Sequence, residues 1–350
     1  MNDFTKAPPS RQPVGTFPYF RQQPPQPLYP GNRPITAREN LLRVFRGEKP
    51  CWIPVYFEDS QYCWPDVMEE HPMYEVDGYD WFGTQWVTEP MIMGQMPKPG
   101  TRVITDITKW QEQVKFPDLS AVDWEEDAKL QTSRYDPDRA HVLHVPEGIF
   151  ERLHELMPMD ETMLAMYEEP EHVHSFFKAM VPYKIELMDI IFKHYAPVEY
   201  VIWGDDWGTQ RAGFFSNEMF REFIMPYTIE CWDWVHKQGK FVELHSCGLT
   251  EQYIEEFVEM GVDAWTPQAI NDLDNLTKNY AEKIVFTVWL PEIAQAKSEK
   301  EARELIRKFV DKYAPRGKIV AGPIGHEDTE IKRAALHELY NYSSEFYAKK

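Results

Sequence analysis

Short apolar runs alternate with amphipathic segments along most of the chain. Clear examples of the apolar runs are YVIWGDD (200–206), KFVELHSCG (240–248), IVFTVWL (284–290) and KIVAGP (318–323). Each is followed by a segment in which apolar residues recur every three or four positions, as they do on one face of a helix. Repeated strand-then-helix units of this kind predict parallel strands joined by right-handed crossovers.

The positions of the polar residues decide between the two folds that such units build, an open doubly wound sheet and a closed barrel. No apolar run is followed by the G-x-G-x-x-G turn of a dinucleotide-binding sheet. Polar residues instead collect where the apolar runs end, which is where the catalytic face of a barrel lies. The sequence therefore predicts an α/β fold, a TIM (β/α)8 barrel that residues 35–350 form as a single domain.

A proline-rich segment precedes the predicted barrel. In residues 1–34 prolines recur too often for a regular helix, so we expect an extended arm that lies across the surface of the barrel. The first helix is predicted over 36–48, where Thr36 is followed three positions later by a glutamate, as in a capping box. It leads into CWIPVYF (51–57), which has the composition of a buried strand, and residues 94–138 are predicted to be an irregular insertion.

Composition and charge narrow the class of partner. The chain has 350 residues, 43% of them hydrophobic, which is enough for a large core. Its formal net charge of −20 argues against nucleic acid, because phosphate binding needs a clustered cationic surface. No apolar run approaches the roughly 20 residues that span a membrane, and the N-terminus lacks the layout of a signal peptide. We expect a cytoplasmic protein that acts on a small molecule or binds a protein partner.

Ionisable side chains cluster at the ends of the predicted strands. Glu243, His245 and Cys247 occupy alternate positions just before a glycine, so they would project from one face of one strand. Buried carboxylates and imidazoles are costly unless they are paired, bound to metal or used in catalysis. We therefore expect the strand-end residues to line one bowl. The other residues at or just after predicted strand ends are Asp205, Asp206, Thr266, Gln268, Trp289, Glu292, His326, Glu327 and Asp328.

Ordinary structural roles remain open for several of these residues. One of Asp205 and Asp206 can cap a helix and leave only the other in the bowl. Residues 326–328 can open the last helix, where the helix dipole favours acids. The tryptophans near strand ends can either form a pocket for an aromatic ring or pack in the core. These tryptophans are Trp203, Trp207, Trp265 and Trp289.

The His245-x-Cys247 pair supplies donor atoms that suit zinc. A thiolate and a neutral imidazole on one face of one strand can both reach a zinc ion at about 2.0 to 2.3 Å. A third protein ligand would leave one position open for a substrate, on which zinc acts as a Lewis acid. The sequence therefore predicts that His245 and Cys247 bind zinc.

Four segments together resemble the uroporphyrinogen decarboxylase superfamily, and the resemblance extends over roughly residues 34–347. They are ITARENLLRVFRGEKPCWIPVYF (35–57), DWFGTQWV (80–87), WGDDWGTQ (203–210) and HSCG (245–248). The resemblance implies a TIM barrel and one of two chemistries. One is the metal-free decarboxylase of haem synthesis, and the other is a group of zinc-dependent methyltransferases that exchange methyl groups with a corrinoid protein or with coenzyme M.

Two features of the sequence choose between the members of this superfamily. Its decarboxylases carry arginines after the first strand that grip the carboxylates of the porphyrinogen, whereas PVYFEDSQYCWPD (54–66) has no arginine. His245 and Cys247 match the zinc pair of the methyltransferases. The coenzyme M enzymes take a further cysteine from the end of the last strand, and no cysteine follows Cys247 here. The resemblance therefore favours enzymes that move a methyl group from a methyl ether, often aromatic, to the cobalt of a separate corrinoid protein.

The resemblance also implies roles for individual residues. His326 is the predicted third zinc ligand, with Glu327, Asp206 and Glu243 as alternatives. Asp206 and Glu243 are the candidate catalytic acids, which would protonate the departing oxygen or orient a ligand. The candidate substrate-binding residues are Trp207, Gln210, Gln268 and Trp289. A decarboxylase, a methylcorrinoid-to-thiol methyltransferase and a non-catalytic small-molecule-binding relative remain alternatives.

Overall fold

The computed structural model describes residues 33–71, 77–89, 94–133, 135–322, 324 and 329–349. Nearly all of the predicted arm lies outside these ranges, so the proposed boundary at residues 34 and 35 stays a prediction. His326, Glu327 and Asp328 also lie outside the described residues. No helix in the described part of the chain is long and apolar enough to cross a membrane.

The described residues form a large parallel sheet and a small antiparallel one. In chain order the strands are β1 (Ser60–Cys63), β2 (Gly78–Tyr79), β3 (Gln85–Glu89), β4 (Gly94–Pro97), β5 (Ala140–Val145), β6 (Tyr200–Gly204), β7 (Phe241–Ser246), β8 (Ala264–Pro267), β9 (Val285–Val288) and β10 (Ile319–Ala321). The large sheet has seven parallel strands in the order β1, β5, β6, β7, β8, β9, β10.

The large sheet curls until its two edges meet. Ala321 of β10 forms a parallel bridge with Val55, and its N–H donates to the carbonyl oxygen of Pro54 at 2.8 Å. Because these residues immediately precede β1, the bridge joins the last strand to the first and stands in the position of an eighth strand. The predicted α/β fold of the TIM-barrel type is confirmed.

The apolar run 51–57 does not form the strand that its composition predicts. Proline at position 54 has no N–H to offer to a neighbouring strand. The Asp59 carboxylate accepts the N–H of Val55 at 2.7 Å, and the chain turns at once into a single helical turn. The segment therefore contributes only the bridge at Val55.

Helices follow the strands as the alternating pattern predicts, and their first turns carry the expected caps. The Thr36 hydroxyl accepts the N–H of Glu39, and the Thr329 side chain caps the last helix in the same way. The helices are α1 (Ala37–Phe45), α2 (Tyr56–Asp59), α3 (Trp110–Gln113), α4 (Trp124–Thr132), α5 (Ile149–Leu156), α6 (Met159–Glu168), α7 (Pro170–His194), α8 (Asn217–Met219), α9 (Met225–Lys237), α10 (Ile254–Glu259), α11 (Leu273–Tyr280), α12 (Pro291–Ala294), α13 (Glu299–Tyr313) and α14 (Glu330–Ala348).

A long excursion separates the first two strands of the barrel. It runs from residue 64 to residue 139 and contains the antiparallel sheet β2, β3, β4 together with α3 and α4. The predicted insertion at 94–138 is therefore longer than expected and is not irregular throughout. Asp80 ties the small sheet to the barrel, because its carboxylate accepts from Trp86 at 3.1 Å and from Arg152 of α5 at 2.7 Å.

The two ends of the barrel differ. At the amino-terminal end of the strands Phe45 of α1 packs on Tyr200 and Phe241, with ring centroids 5.0 and 5.2 Å apart. Helix α1 therefore covers this end with apolar side chains. The opposite end, where the strands finish, is called the mouth below, and it carries the polar residues that the sequence singled out.

Candidate metal centre

Three metal-type ligands converge at the mouth. Donor atoms of Asp206, His245 and Cys247 all lie within 4.8 Å of one another, and in the described part of the chain no other group of three or more such residues does so. The Cys247 Sγ lies 3.7 Å from the His245 Nε2. An Asp206 carboxylate oxygen accepts the N–H of Cys247 at 2.6 Å. The structure therefore brings the predicted His-x-Cys pair together with one of the two strand-end aspartates.

The register of two neighbouring strands explains this convergence. Gly204 of β6 pairs with His245 of β7, so the residues after β6 lie beside the end of β7. The chain then turns sharply at Gly248, which has φ of 94°. A Cβ on Gly248 would lie 2.3 Å from the carbonyl carbon of Gly208, so only glycine fits at this position.

Asp205 takes the structural role that the sequence left open for one of the two aspartates. Its carboxylate accepts the N–H groups of Phe150 and Glu151 at 3.3 and 2.9 Å, and so caps the start of α5. A Cβ on Gly148 would lie 2.3 Å from this carboxylate, so glycine makes room for the cap. Burial raises the pKa of Asp205 to about 7. Asp206 alone of the pair joins the metal-type ligands.

Two glutamates that the sequence analysis did not single out lie beside the metal-type ligands. Glu151 accepts the N–H of Asp206 at 3.3 Å, and burial together with the Asp206 charge raises its pKa well above the ordinary value. Glu147 directly precedes α5, and burial raises its pKa to about 8. A signal for them existed, since Glu147, Glu151 and Glu155 follow the strand-like run 140–145 at helical spacing.

The donor set suits a divalent cation such as zinc. Burial, followed by the charge of Asp206, raises the pKa of the Cys247 thiol. A cation bound to the sulfur reverses that preference, since metal-bound cysteine is deprotonated. One sulfur, one imidazole nitrogen and one carboxylate oxygen are within the ligand types that zinc accepts.

Glu243 lies deeper in the barrel than the converging ligands. It shares its strand face with His245, and its Oε1 accepts from the hydroxyl groups of Thr266 and of Thr287, the latter at 3.2 Å. Burial raises the pKa of Glu243 to about 7. The described partners of Glu243 are these two threonines, and its predicted catalytic role stays a prediction.

The four candidate substrate-binding residues fall into two groups. Gln210 donates to Gln268 at 3.1 Å, and Gln268 accepts the N–H of Gly248 at 2.9 Å, so both amides lie next to the metal-type ligands. Trp207 is fully buried and packs between helices, with its ring 5.0 Å from that of Phe220. Trp289 follows β9 and is partly exposed. The two glutamines thus lie beside the metal-type ligands, and Trp207 has the surroundings of a core residue. The substrate-binding role of the four residues stays a prediction.

A second group of buried charges lies beside Glu147, and we call it the ion-paired cluster. Arg152 donates to Asp80 at 2.7 Å and pairs with Glu155 at 3.0 Å. Lys184 pairs with Glu70, which also accepts from Tyr183. The five charged members of the cluster are Glu70, Asp80, Arg152, Glu155 and Lys184.

Comparison with known proteins identifies the family and the fold. The family model described as uroporphyrinogen decarboxylase (URO-D) matches residues 137–327, which is more than half of the chain. A methyltransferase from Methanosarcina mazei superposes with a TM-score of 0.59 at 12% sequence identity, over 89% of this chain and 99% of that one. At this identity the likeness shows the fold alone.

Two further comparisons add nothing to the functional argument. The YdjI aldolase from Escherichia coli K12 is 13% identical over 64% of this chain and 93% of that one, and its TM-score is only 0.23. No curated protein matches the sequence.

Proposed function

This chain belongs to the uroporphyrinogen decarboxylase family, and from that premise we propose that it is a zinc-dependent methyltransferase. It would move a methyl group from a methyl ether, such as a methoxylated aromatic compound, to the cobalt of a corrinoid protein. The observation that carries the proposal is the convergence of Asp206, His245 and Cys247 at the mouth of the barrel. The Methanosarcina protein that shares this fold is itself described as a methyltransferase, which is consistent with the proposal.

Zinc would be held by His245, Cys247 and Asp206, with His326 as a further proposed ligand. Bound there, it would polarise the ether oxygen and so make the alkoxide or phenoxide a better leaving group. Asp206 is held in place from two sides, because its carboxylate accepts the N–H of Cys247 while its own N–H donates to Glu151. Gln210 and Gln268 offer amide groups beside this site that can orient the donor.

The transfer itself requires an open mouth and a source of one proton. The cobalt–carbon bond forms as the carbon–oxygen bond breaks, and the departing oxygen leaves as an alcohol or phenol after it takes up a proton. Glu243 is the proposed acid for this step, and Asp206 is the alternative for a site in which it does not bind the zinc, because a zinc-bound carboxylate carries no proton. The corrinoid must approach within about 3 to 3.5 Å of the methyl carbon, so we expect the partner protein to dock over the mouth.

The charges around the site argue against decarboxylation of an anionic porphyrinogen. Asp206, Glu147 and Glu151 lie at the mouth, and a polyanionic substrate would meet these acids instead of cations. Arg152, the nearby buried arginine, is already committed to Asp80 and Glu155. The absence of any cysteine after Cys247 in the sequence argues against the thiol-methylating relatives, whose resemblance implies a further thiolate ligand.

The proposal is tested by mixing the zinc-loaded enzyme with a reduced corrinoid protein and a panel of methoxylated aromatics. The visible spectrum should follow the conversion of cobalt(I) to methylcobalt(III). We expect this conversion to disappear in Cys247→Ser and to weaken in Asp206→Asn, whereas Glu304→Gln, which alters an exposed residue of α13, should behave as the wild type. Turnover of uroporphyrinogen without methylation of cobalt by any donor would refute the proposal.

Two further variants test His326 as a zinc ligand, through zinc affinity, and Glu243 as an acid, through the methylation rate. Loss of zinc affinity in His326→Ala would support His326 as a ligand. A fall in the methylation rate of Glu243→Gln at unchanged zinc content would support Glu243 as an acid, and an unchanged rate would remove it from the mechanism.

A further inference from the structure

Glu147 occupies an unusual position at the mouth. It follows β5, the strand next to β6, and the adjoining N–H of Gly148 donates to the carbonyl oxygen of Gly204 at 2.6 Å. This bond holds the loop that carries Glu147 against the strand that ends at the metal-type ligands. Glu147 itself has φ of 48°, which is in the left-handed region that residues other than glycine seldom adopt.

One carboxylate oxygen of Glu147 has no partner among the described residues. The residue is only 5% exposed, and its Oε2 is buried without a hydrogen bond. The other oxygen lies 3.8 Å from the Nε2 of His71, beyond hydrogen-bond distance. A buried oxygen that lacks a hydrogen bond costs free energy, so an atom of this kind marks a place where a ligand can supply the missing hydrogen bond.

The neighbouring cations, Arg152 and Lys184, do not hydrogen-bond to the Oε2 of Glu147, because both are engaged by other groups. Arg152 donates to Asp80 and pairs with Glu155. Lys184 pairs with Glu70 and donates to the carbonyl oxygen of Pro146 at 3.4 Å. The imidazole ring of His71, which lies beside Glu147, packs against the Trp86 ring with centroids 4.2 Å apart.

We propose that Glu147 is a specificity-determining residue whose Oε2 binds a hydroxyl group on the methyl donor. The inference rests on the proposed function and deepens it, because it narrows the donor to a methoxyarene that also carries a free hydroxyl group. A hydroxyl group can donate to a carboxylate or accept from a carboxylic acid, so it satisfies Glu147 in either charge state. The imidazole ring beside Glu147 suits an aromatic hydroxyl group.

Binding measurements test the inference without any methyl transfer. Isothermal titration of the zinc-loaded, full-length protein would compare 2-, 3- and 4-methoxyphenol with the three corresponding dimethoxybenzenes, in which a methyl group blocks the hydroxyl. For at least one pair we expect the wild type to favour the methoxyphenol about tenfold or more, because the blocked compound leaves Oε2 unpaired. In Glu147→Ala this preference should fall to about 1, while the affinity for the dimethoxybenzene stays unchanged.

Two further variants guard against a trivial loss of folding. Glu147→Asn has a shorter side chain that should not reach the hydroxyl, and asparagine tolerates the left-handed backbone better than alanine does. It should therefore lose the preference with a wild-type melting temperature. Glu161→Gln, which changes an exposed residue of α6, should keep the preference.

The outcomes separate this inference from the proposed function. A hydroxyl preference that survives in both Glu147 variants, or an equal loss of affinity for both members of a pair, overturns the inference alone. A wild type that binds both compounds equally also overturns it alone. A wild type that binds none of the six compounds overturns the inference and the proposed donor class together.

Discussion

Two groups of buried acids lie side by side in this barrel and differ in how their charge is balanced. In the ion-paired cluster, each of three carboxylates pairs with one of two cations, the guanidinium of Arg152 or the ammonium of Lys184. At the mouth, Asp206, Glu151 and Glu147 have no such cation among the described side chains that contact them. The first group therefore carries its counter-charges within the fold, whereas the second is arranged to receive a cation or a ligand from outside.

The difference separates a structural role from a functional one. Buried ion pairs hold elements in register, and here Arg152 links α5 to the small antiparallel sheet through Asp80. Buried acids without cations cost stability, which a fold tolerates where function requires it. Substitution should therefore destabilise the fold in the ion-paired cluster and weaken zinc or ligand binding at the mouth, and experiments can test this difference.

The largest effect is expected when the ion-paired cluster loses its arginine. Arg152→Met removes the partner of Asp80 and Glu155 and leaves buried carboxylates unpaired, so the free energy of unfolding should fall by about 3 to 5 kcal/mol. Urea unfolding measures this change in the free energy of unfolding. As the matched control, Arg102→Met breaks an exposed pair with Glu161 and should cost no more than about 1 kcal/mol. Equal losses in the two variants would show that the ion-paired cluster is not structural.

A smaller effect is expected from His144, an imidazole of β5 on the mouth side. Burial lowers its pKa to about 3, so it stays neutral and does not balance the acids. An unfolded chain binds the proton below about pH 6.5 while the folded chain does not. The free energy of unfolding should therefore fall by about 2 kcal/mol more in the wild type than in His144→Gln when the pH is lowered from 7 to 5.

Unfolding curves of the two proteins at both pH values supply this comparison. His194→Gln, an exposed substitution at the end of α7, should retain the wild-type pH dependence. Parallel behaviour of the wild type and His144→Gln would mean that His144 becomes charged in the folded protein and belongs with the balancing cations.

The smallest effect is expected from a substitution of Glu151. Its carboxyl group accepts the backbone N–H of Asp206 and so positions that residue. Glu151→Gln keeps an acceptor oxygen for the Asp206 N–H but removes a carboxyl group that a bound cation would favour in its ionised form, and we expect zinc affinity to weaken about tenfold. Competition with a chelator measures this affinity. The melting temperature of the zinc-free protein should stay the same, as it should in Glu171→Gln, an exposed residue of α7. Unchanged zinc affinity would exclude Glu151 from the support of the metal centre.

The sequence predicted the convergence at the mouth because parallel strands place their ends at one edge. The run ending in His245 and Cys247 and the run ending in Asp206 became neighbours through the pairing of β6 with β7. The helix starts at Thr36 and Thr329 could also be predicted from the sequence, because each cap involves only residues within the first turn of its helix.

Side-chain depth and direction were harder to predict. Period-two spacing correctly puts Glu243 on the face of His245, but two residues along a strand is about 7 Å, which moves Glu243 into the closed interior. Trp207 follows Asp206 in sequence, yet it turns outward to pack on the helices. Glu147 and Glu151 were missed because their approach to Asp206 depends on how α5 packs, which no local pattern states.

X-ray absorption at the zinc edge of the purified, zinc-loaded protein tests the central claim most directly, because it counts the atoms bound to the metal. The account predicts one sulfur at about 2.3 Å, from Cys247, with the other ligands nitrogen or oxygen at about 2.0 to 2.2 Å. The sulfur signal should be absent in Cys247→Ser. A zinc ion with no sulfur ligand in the wild type, or a protein that binds no zinc, would contradict the assignment of Asp206, His245 and Cys247 as its metal centre.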